Sequence, residues 1–176
     1  MNIIRLQNNL FENDSKTFLY KSTIGNIYLT HYKDYIVSIS FQNTNKINND
    51  EKEPYIIKQT KKQLDEYFAL KRKIFDIPIA VYGSDFQYRV WAETYKIPFG
   101  EIETYSNIAK KISNSSGSIF RAVGSAEGKN KIAIIIPCHR VVAKDLKLTG
   151  YAGGIEKKEY LLKLEGFNID KLKIIR

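Results

Sequence analysis

The chain carries one cysteine and two histidines, and the thiol of Cys138 stands directly before the imidazole of His139 in Ile136-Pro137-Cys138-His139-Arg140-Val141. A thiolate, not a thiol, is the competent sulfur nucleophile, and an imidazole within reach can take the thiol proton. Adjacent residues on an extended chain point opposite ways, so the pair cooperates only where the backbone bends, and Pro137 favours such a bend. An imidazolium formed in this way needs an anionic partner. Glu156, Glu159 and Glu165 all follow in one helical stretch, and spacing alone does not choose among them. The competing reading is an inert core thiol, the common fate of a free cysteine.

Composition narrows the setting for this pair. With 176 residues, 43% of them hydrophobic, the chain can bury a real core in one or two small domains and is not intrinsically disordered. One cysteine excludes an intramolecular disulfide framework, and with two histidines it cannot assemble a structural Cys/His zinc site. No stretch approaches the roughly 20 apolar residues that span a bilayer. Residues 1–14 lack the basic and apolar regions of a signal peptide, so a soluble cytoplasmic protein (nuclear in a eukaryote) is expected. The formal charge of +9 favours a polyanionic partner. Residues 104–150 hold eight Lys and Arg against Glu127 and Asp145, as much net charge as the whole stretch 85–176. A solvated basic face is the ordinary explanation of such a run, and contact with nucleic acid is the functional one.

The elements that must position these groups read as follows. Thr17–Tyr20, Ile27–Tyr32 and Tyr35–Phe41 are short β-rich runs, the last alternating with a period of two, and Lys33-Asp34 turns the hairpin. Gln42–Glu53 reads as a mobile polar loop. Pro54 opens a helix that runs to about Arg72 with Ile57, Lys61, Leu64 and Phe68 on one face. Ile74–Ala80 is extended, and Pro78 places it at a sheet edge or at a strand end. Ser84-Asp85-Phe86-Gln87 has capping-box spacing ahead of a helix with Phe86, Val90, Trp91 and Tyr95, where Trp91 reads as core. Thr104 caps a second helix burying Ile108, Ala109 and Ile112. After a turn at Ser113–Gly117, Ser118 caps a third with Ile119, Ala122, Val123 and Ala126 inward. Two short helices about such a turn suggest a helix-turn-helix, a weak signal that the basic window strengthens. Lys131–Ile136 is an apolar run, Gly150–Gly154 a flexible loop, and Glu156–Glu165 a final helix ended by Gly166.

Residues 85–167 carry DFQYRVWAETYKIPFGEIETYSNIA, FRAVGSAEGKN, IIIPCHRVV, GYAGG and KKEYLLKLEG in that order. In this they resemble the catalytic domain of the O6-alkylguanine-DNA alkyltransferases (methylated-DNA–protein-cysteine methyltransferases). The resemblance implies an α+β protein of two small domains. Residues 1–84 would form an N-terminal RNase H-like sheet-plus-helix domain, and residues 85–176 a helical catalytic and DNA-binding domain with a helix-turn-helix. It implies irreversible, single-turnover transfer of an alkyl group from guanine O6, or thymine O4, in double-stranded DNA to Cys138, by a monomer without a cofactor. His139 would act as base through a water, Glu165 would hold its tautomer, and Tyr105 would donate a proton to the leaving base. The target base must be flipped out, with Arg121 as the finger that fills the gap. Ala122 and Gly124 would allow close approach to the minor groove, and Thr104 and Ser106 would complete the DNA-binding set. Val141, Tyr151, Ala152 and Gly153 would line the substrate pocket, with Asn130 and Arg140 in structural support. The zinc that some relatives carry is not expected here, because only His31 among Cys and His precedes residue 85.

Three alternatives stand beside this reading. A lesion-binding relative without transfer is disfavoured by the presence of Cys138. A Cys-His hydrolase lacks a recognisable oxyanion hole. A plain helix-turn-helix regulator has no use for the Pro-Cys-His-Arg-Val motif.

Overall fold

The computed structural model describes residues 3–6, 14–43, 45–48, 52–113, 119–148, 150–169 and 173–174, and the chain divides into two compact units, Met1–Gly83 and Ser84–Arg176. In the first unit, strands β1 (Ile3–Leu6), β2 (Lys16–Ser22), β3 (Gly25–Tyr32), β4 (Tyr35–Ser40) and β5 (Ile79–Tyr82) form one sheet in the order β1-β5-β4-β3-β2. β2, β3 and β4 run antiparallel, while β5 pairs in parallel with both β4 and β1. The short sequence runs anticipated the meander but not β1. β5 begins only at Ile79 and is an interior strand, so of the two places expected for Pro78, sheet edge or strand end, the structure takes the second. Pro78 stays out of the ladder by sitting one residue ahead of it, where its carbonyl accepts the Ile36 N–H at 3.0 Å.

The period of two expected across β4 is broken. Thr30 pairs with Ser38 but His31 pairs with Ile36, so Val37 is an extra residue in the ladder, and Ile36, Val37 and Ile39 are all buried. Helix α1 (Tyr55–Phe68) buries Ile56, Ile57, Thr60, Gln63, Leu64 and Tyr67. Its inner face is therefore rotated from the expected one, with Tyr67 fully inside where Phe68 was foreseen and Lys61 half-buried. The Tyr20 hydroxyl donates to Asp65 of α1 at 2.7 Å. The described part of the polar loop is anchored to the sheet: Asn48 N–H donates to the Thr17 carbonyl at 2.8 Å, and its side chain accepts the Thr17 N–H at 3.1 Å.

The second unit packs helices α2 (Asp85–Thr94), α3 (Tyr105–Ile112), α4 (Ile119–Gly128) and α5 (Ile155–Leu164) with two short two-stranded ladders. Ser84 and Gln87 cap α2 reciprocally, and Thr104 accepts the Asn107 N–H to cap α3. Trp91 is core, its indole N–H donating to the Ala126 carbonyl at 2.9 Å, and the Arg89 guanidinium donates to the Ile112 carbonyl at the end of α3. In α4 the buried residues are Val123, Ala126 and Glu127. Ala122 is exposed beside Arg121 and Ile119 is half-buried, contrary to the inward face expected. The turn after Ser113 and the Ser118 cap lie outside the described residues.

The apolar run Lys131–Ile136 forms tight turns rather than a strand, with Ile134 at φ +70° and Ile136 N–H returning to the Ile132 carbonyl at 3.0 Å. Cys138–Arg140 follow as one 3-10 turn, and β7 (Val141–Val142) then pairs in parallel with β6 (Glu103–Thr104). β8 (Lys147–Leu148) pairs in parallel with β9 (Lys173–Ile174). Gly166, at φ +84°, ends the last helix, where Phe167 N–H reaches the Leu162 carbonyl. Among the described residues no helix is long and apolar enough to cross a membrane.

Candidate active site

The bend that the Cys-His pair requires is the 3-10 turn. Asn130, at the exit of α4, holds it: its amide donates to the Ile136 carbonyl at 2.9 Å and to Cys138 Sγ at 3.1 Å, while its oxygen accepts the Ile132 N–H at 2.9 Å. Asn130 thus touches the sulfur itself, a closer role than the bracing expected. Cys138 is buried, and its thiol is pushed up to about 12, first by burial and then by the nearby Glu127 carboxyl, against the Asn130 hydrogen bond and the Lys158 charge. The resting sulfur is a thiol that must be relieved of its proton to react.

His139 is fully buried behind it. Its Nε2–H donates to Glu165 Oε1 at 2.8 Å, so among the three glutamates left open by spacing the structure selects Glu165. That bond places the ring proton on Nε2 and leaves Nδ1 as an unprotonated acceptor, buried and with no hydrogen-bond partner among the described residues. Neither ring nitrogen bonds the sulfur directly. Burial pushes the imidazole below its ordinary value, with Arg140 and Lys158 adding to the shift and Glu165 opposing it. His139 is therefore a neutral base at neutral pH.

Glu165 closes the last helix and is shared. Arg140 donates from Nε to Oε2 and from Nη2 to Oε1, both at 2.8 Å, while its Nη1 donates to the Ile97 carbonyl at 2.6 Å. Burial by itself would raise this carboxyl, but hydrogen bonds and charge from His139 and Arg140 hold it well below the usual carboxylate range. Gly100, at φ +79°, donates its N–H to Glu165 Oε2 at 3.3 Å, and a Cβ there would stand 3.1 Å from the Glu165 carbonyl. Arg140 is thus the fork that fixes the carboxylate which fixes the imidazole.

The other expected residues surround this chain at different depths. Val141 and Thr104 are joined through the β6–β7 ladder, in which Glu103 pairs with Val141 and Thr104 with Val142. The Tyr105 ring lies over Gly124, where a Cβ would stand 3.9 Å from Tyr105 Cε1. The Tyr151 ring meets His139 edge-on at 6.5 Å between centroids, while Ala152 is exposed and Gly153 half-buried in the following loop. Ser106 is half-buried in the first turn of α3. Arg121 and Ala122 lie on the exposed side of α4, with the Arg121 guanidinium 5.9 Å from the Phe120 ring.

Two residues escaped the sequence reading. Lys158 is fully buried, donates to the Val141 carbonyl at 2.7 Å and lies 5.9 Å from the Tyr105 ring centre. Its ammonium is pushed down to about 8 by burial, against the Cys138 and Glu127 charges. Glu127 is buried in α4 and pushed up to about 7, again by burial first. Their signals were present but masked. Lys158 stands three and four residues before the buried Leu161 and Leu162, and Glu127 shares a face with Val123 and Ala126.

Comparison with known proteins gives this geometry a family. Residues 16–81 match the ribonuclease-like domain of 6-O-methylguanine DNA methyltransferase, and residues 85–167 match its DNA binding domain. A methylated-DNA--protein-cysteine methyltransferase of Methanosarcina acetivorans is 42% identical over 156 residues, 84% of this chain and 96% of its own. A constitutive enzyme of the same name from Bacillus subtilis is 43% identical over 119 residues, 67% of this chain and 71% of its own. The crystal structure of Mycobacterium tuberculosis OGT in complex with DNA superposes with a TM-score of 0.74 at 36% identity, covering 90% of this chain and 94% of that one. On its sequence, its two-part α+β fold and these matches, the chain belongs to the 6-O-methylguanine DNA methyltransferase family.

Proposed function

We propose that this protein repairs DNA by moving an alkyl group from guanine O6 to Cys138, irreversibly and once per molecule. The observation that carries the reading is the Glu165–His139 bond, which leaves Nδ1 as a buried acceptor on the residue next to the only cysteine of the sequence. In the proposed reaction the Cys138 proton passes to Nδ1 through a water. The sulfur electron pair forms the S–C bond, the C–O6 bond breaks, and its pair stays on the base. Tyr105 then gives the guanine a proton, which solvent replaces. A thioether has no low-barrier route back, and a single thiol offers no partner for disulfide regeneration.

The substrate in this reading is double-stranded DNA carrying O6-alkylguanine. The exposed edge of α4, with Arg121 and the small Ala122 and Gly124, approaches the minor groove, and Arg121 holds the place of the extruded base. Thr104 and Ser106 flank it at the start of α3. Val141, Tyr151, Ala152 and Gly153 receive the base. A monomer in the cytoplasm suffices, since one thiol meets one lesion, and no cofactor takes part. Intact mass after incubation with duplex O6-methylguanine DNA is expected to rise by one methyl group on Cys138. Equal uptake by Cys138→Ala would overturn the reading.

A further inference from the structure

Glu127 is a buried carboxyl that the reaction as written does not use. Its Oε1 is hydrogen-bonded to the Thr94 hydroxyl, and its Oε2 is buried with no hydrogen-bond partner among the described residues. The same hydroxyl lies 3.0 Å from the Val90 carbonyl. A hydroxyl has one proton, and both a carbonyl and a carboxylate only accept. When Thr94 donates to Val90, its contact with Glu127 is a hydrogen bond only if the carboxyl is protonated and donates. When Thr94 turns to Glu127, the carboxyl is free to ionise. The site keeps a bond in either state, but its second oxygen has no donor, which disfavours the charged form in a buried setting.

Glu127 also sits close to the chemistry. Its carbonyl accepts the Asn130 N–H at 3.0 Å, one turn before the side chain that bonds Sγ. Titratable groups acting on it are Lys158 from α5 and Cys138 from the 3-10 turn. α2 faces it with the Thr94 hydroxyl, and α3 buries only Ile108, Ala109 and Ile112 against the helices around it.

We propose that Glu127 is a positioning residue for the thiol: it is held as a neutral carboxylic acid while Cys138 reacts, and its ionisation suppresses the Cys138 thiolate. For its effect on repair this rests on the function proposed above. The direction follows from charge. With Glu127 neutral, the thiolate faces the Asn130 amide and the Lys158 ammonium alone. Loss of the Glu127 proton to solvent adds a like charge near the sulfur, and the two groups then titrate as a coupled pair. Burial pushes Glu127 up to about 7, so the change falls within the physiological range.

The test compares wild type with Glu127→Gln, which keeps a donor for Thr94 without a titrating proton, and with Glu127→Met as a second uncharged variant. Each protein is treated with methyl iodide at about pH 6 and about pH 8.5, and methylation of Cys138 is followed by peptide mass spectrometry. Variant and wild-type rates are expected to agree in the acid sample. In the alkaline sample the variants react about tenfold faster, as coupling by one pK unit requires. A variant-to-wild-type ratio that does not change with pH overturns the proposal. Infrared difference spectra of the wild type between the same two samples are expected to show loss of a carboxylic-acid C=O band, and a spectrum without that band at the lower pH also overturns it. Because methyl iodide contains no DNA, the two readings separate. Failure of the wild type to take a methyl group from lesion DNA, with the pH-dependent ratio intact, defeats the repair function and leaves the Glu127 assignment standing.

Discussion

A few side chains of the second unit are satisfied by one another, so single substitutions there have unequal consequences. Arg140 bridges Glu165 and the Ile97 carbonyl with almost no solvent access, and Arg140→Ala strands a buried carboxylate. The expected loss is about 3–5 kcal/mol in denaturant unfolding, the range for breaking one side of a buried ion pair. Because the Glu165 carboxyl is held below its ordinary 4.5, its ionic stabilisation is complete above that pH and is lost as acid carries the solution down through the folded value. The stability gap between wild type and Arg140→Ala should therefore shrink when the same unfolding curves are measured below about pH 4.5. Asn130→Ala removes three hydrogen bonds, one of them to Sγ. It should lose about 1–3 kcal/mol through the groups left unsatisfied and slow methyl uptake by Cys138, whereas Asn130→Ala with an unchanged uptake rate would confine Asn130 to support.

At the scale of elements, loops and turns rather than the regular helices aim the groups. Gly100 ends the segment after α2 in a left-handed conformation and touches the Glu165 backbone. Gly100→Ala should destabilise the second unit by about 1–2 kcal/mol from the backbone alone. It should also displace Glu165, so that methyl uptake falls further than the unfolding midpoint accounts for. The run Lys131–Ile136 shows why such segments were hard to read. Three consecutive isoleucines carry the pattern of a buried strand, yet Ile134 adopts φ +70°, a conformation β-branched residues avoid. The strain is sustained by burial of residues 132–136 and by the Asn130 bonds to Ile132 and Ile136. Helix α4 carries a complementary lesson. Its apolar face is short, and Ala122 lies with Arg121 on the exposed side, where a small residue permits close approach of another surface.

At the scale of the whole molecule, the net charge of +9 and the basic stretch from Thr104 to Gly150 set the long-range field. Duplex binding should weaken steeply as salt rises, since neutralised phosphates release counterions, and a salt-independent affinity would contradict phosphate contact. Arg121→Ala should slow transfer from duplex DNA by about ten- to hundredfold, the equivalent of a lost contact of about 1–3 kcal/mol. Transfer from the free O6-methylguanine base should change little, because that substrate needs no extrusion. A matching loss with free base would place Arg121 in the chemistry rather than in base flipping.

The order of the helices in the second unit, the caps at Ser84 and Thr104, the stop at Gly166 and the Pro-Cys-His-Arg-Val motif were legible because each is local. A Ser or Thr at an N-cap, a glycine at a helix end and a thiol beside an imidazole depend on near neighbours in the chain. β1, the interior position of β5 and the bulge at Val37 were not legible, because strand order and register are set by partners far away in sequence. In the site, Cys138 and His139 were evident from residue types alone, but the choice of Glu165 over Glu156 and Glu159 required the last helix to end against Arg140. Lys158 and Glu127 carry charges of a kind that ordinarily stays in water. Only the packing of α2, α4 and α5 around the 3-10 turn removed them from water, and desolvation moved both toward their neutral forms. The sequence by itself determined which atoms can react, and the tertiary structure decided which of their neighbours carry charge, because a charge depends on the medium around it and that medium exists only once the chain has folded.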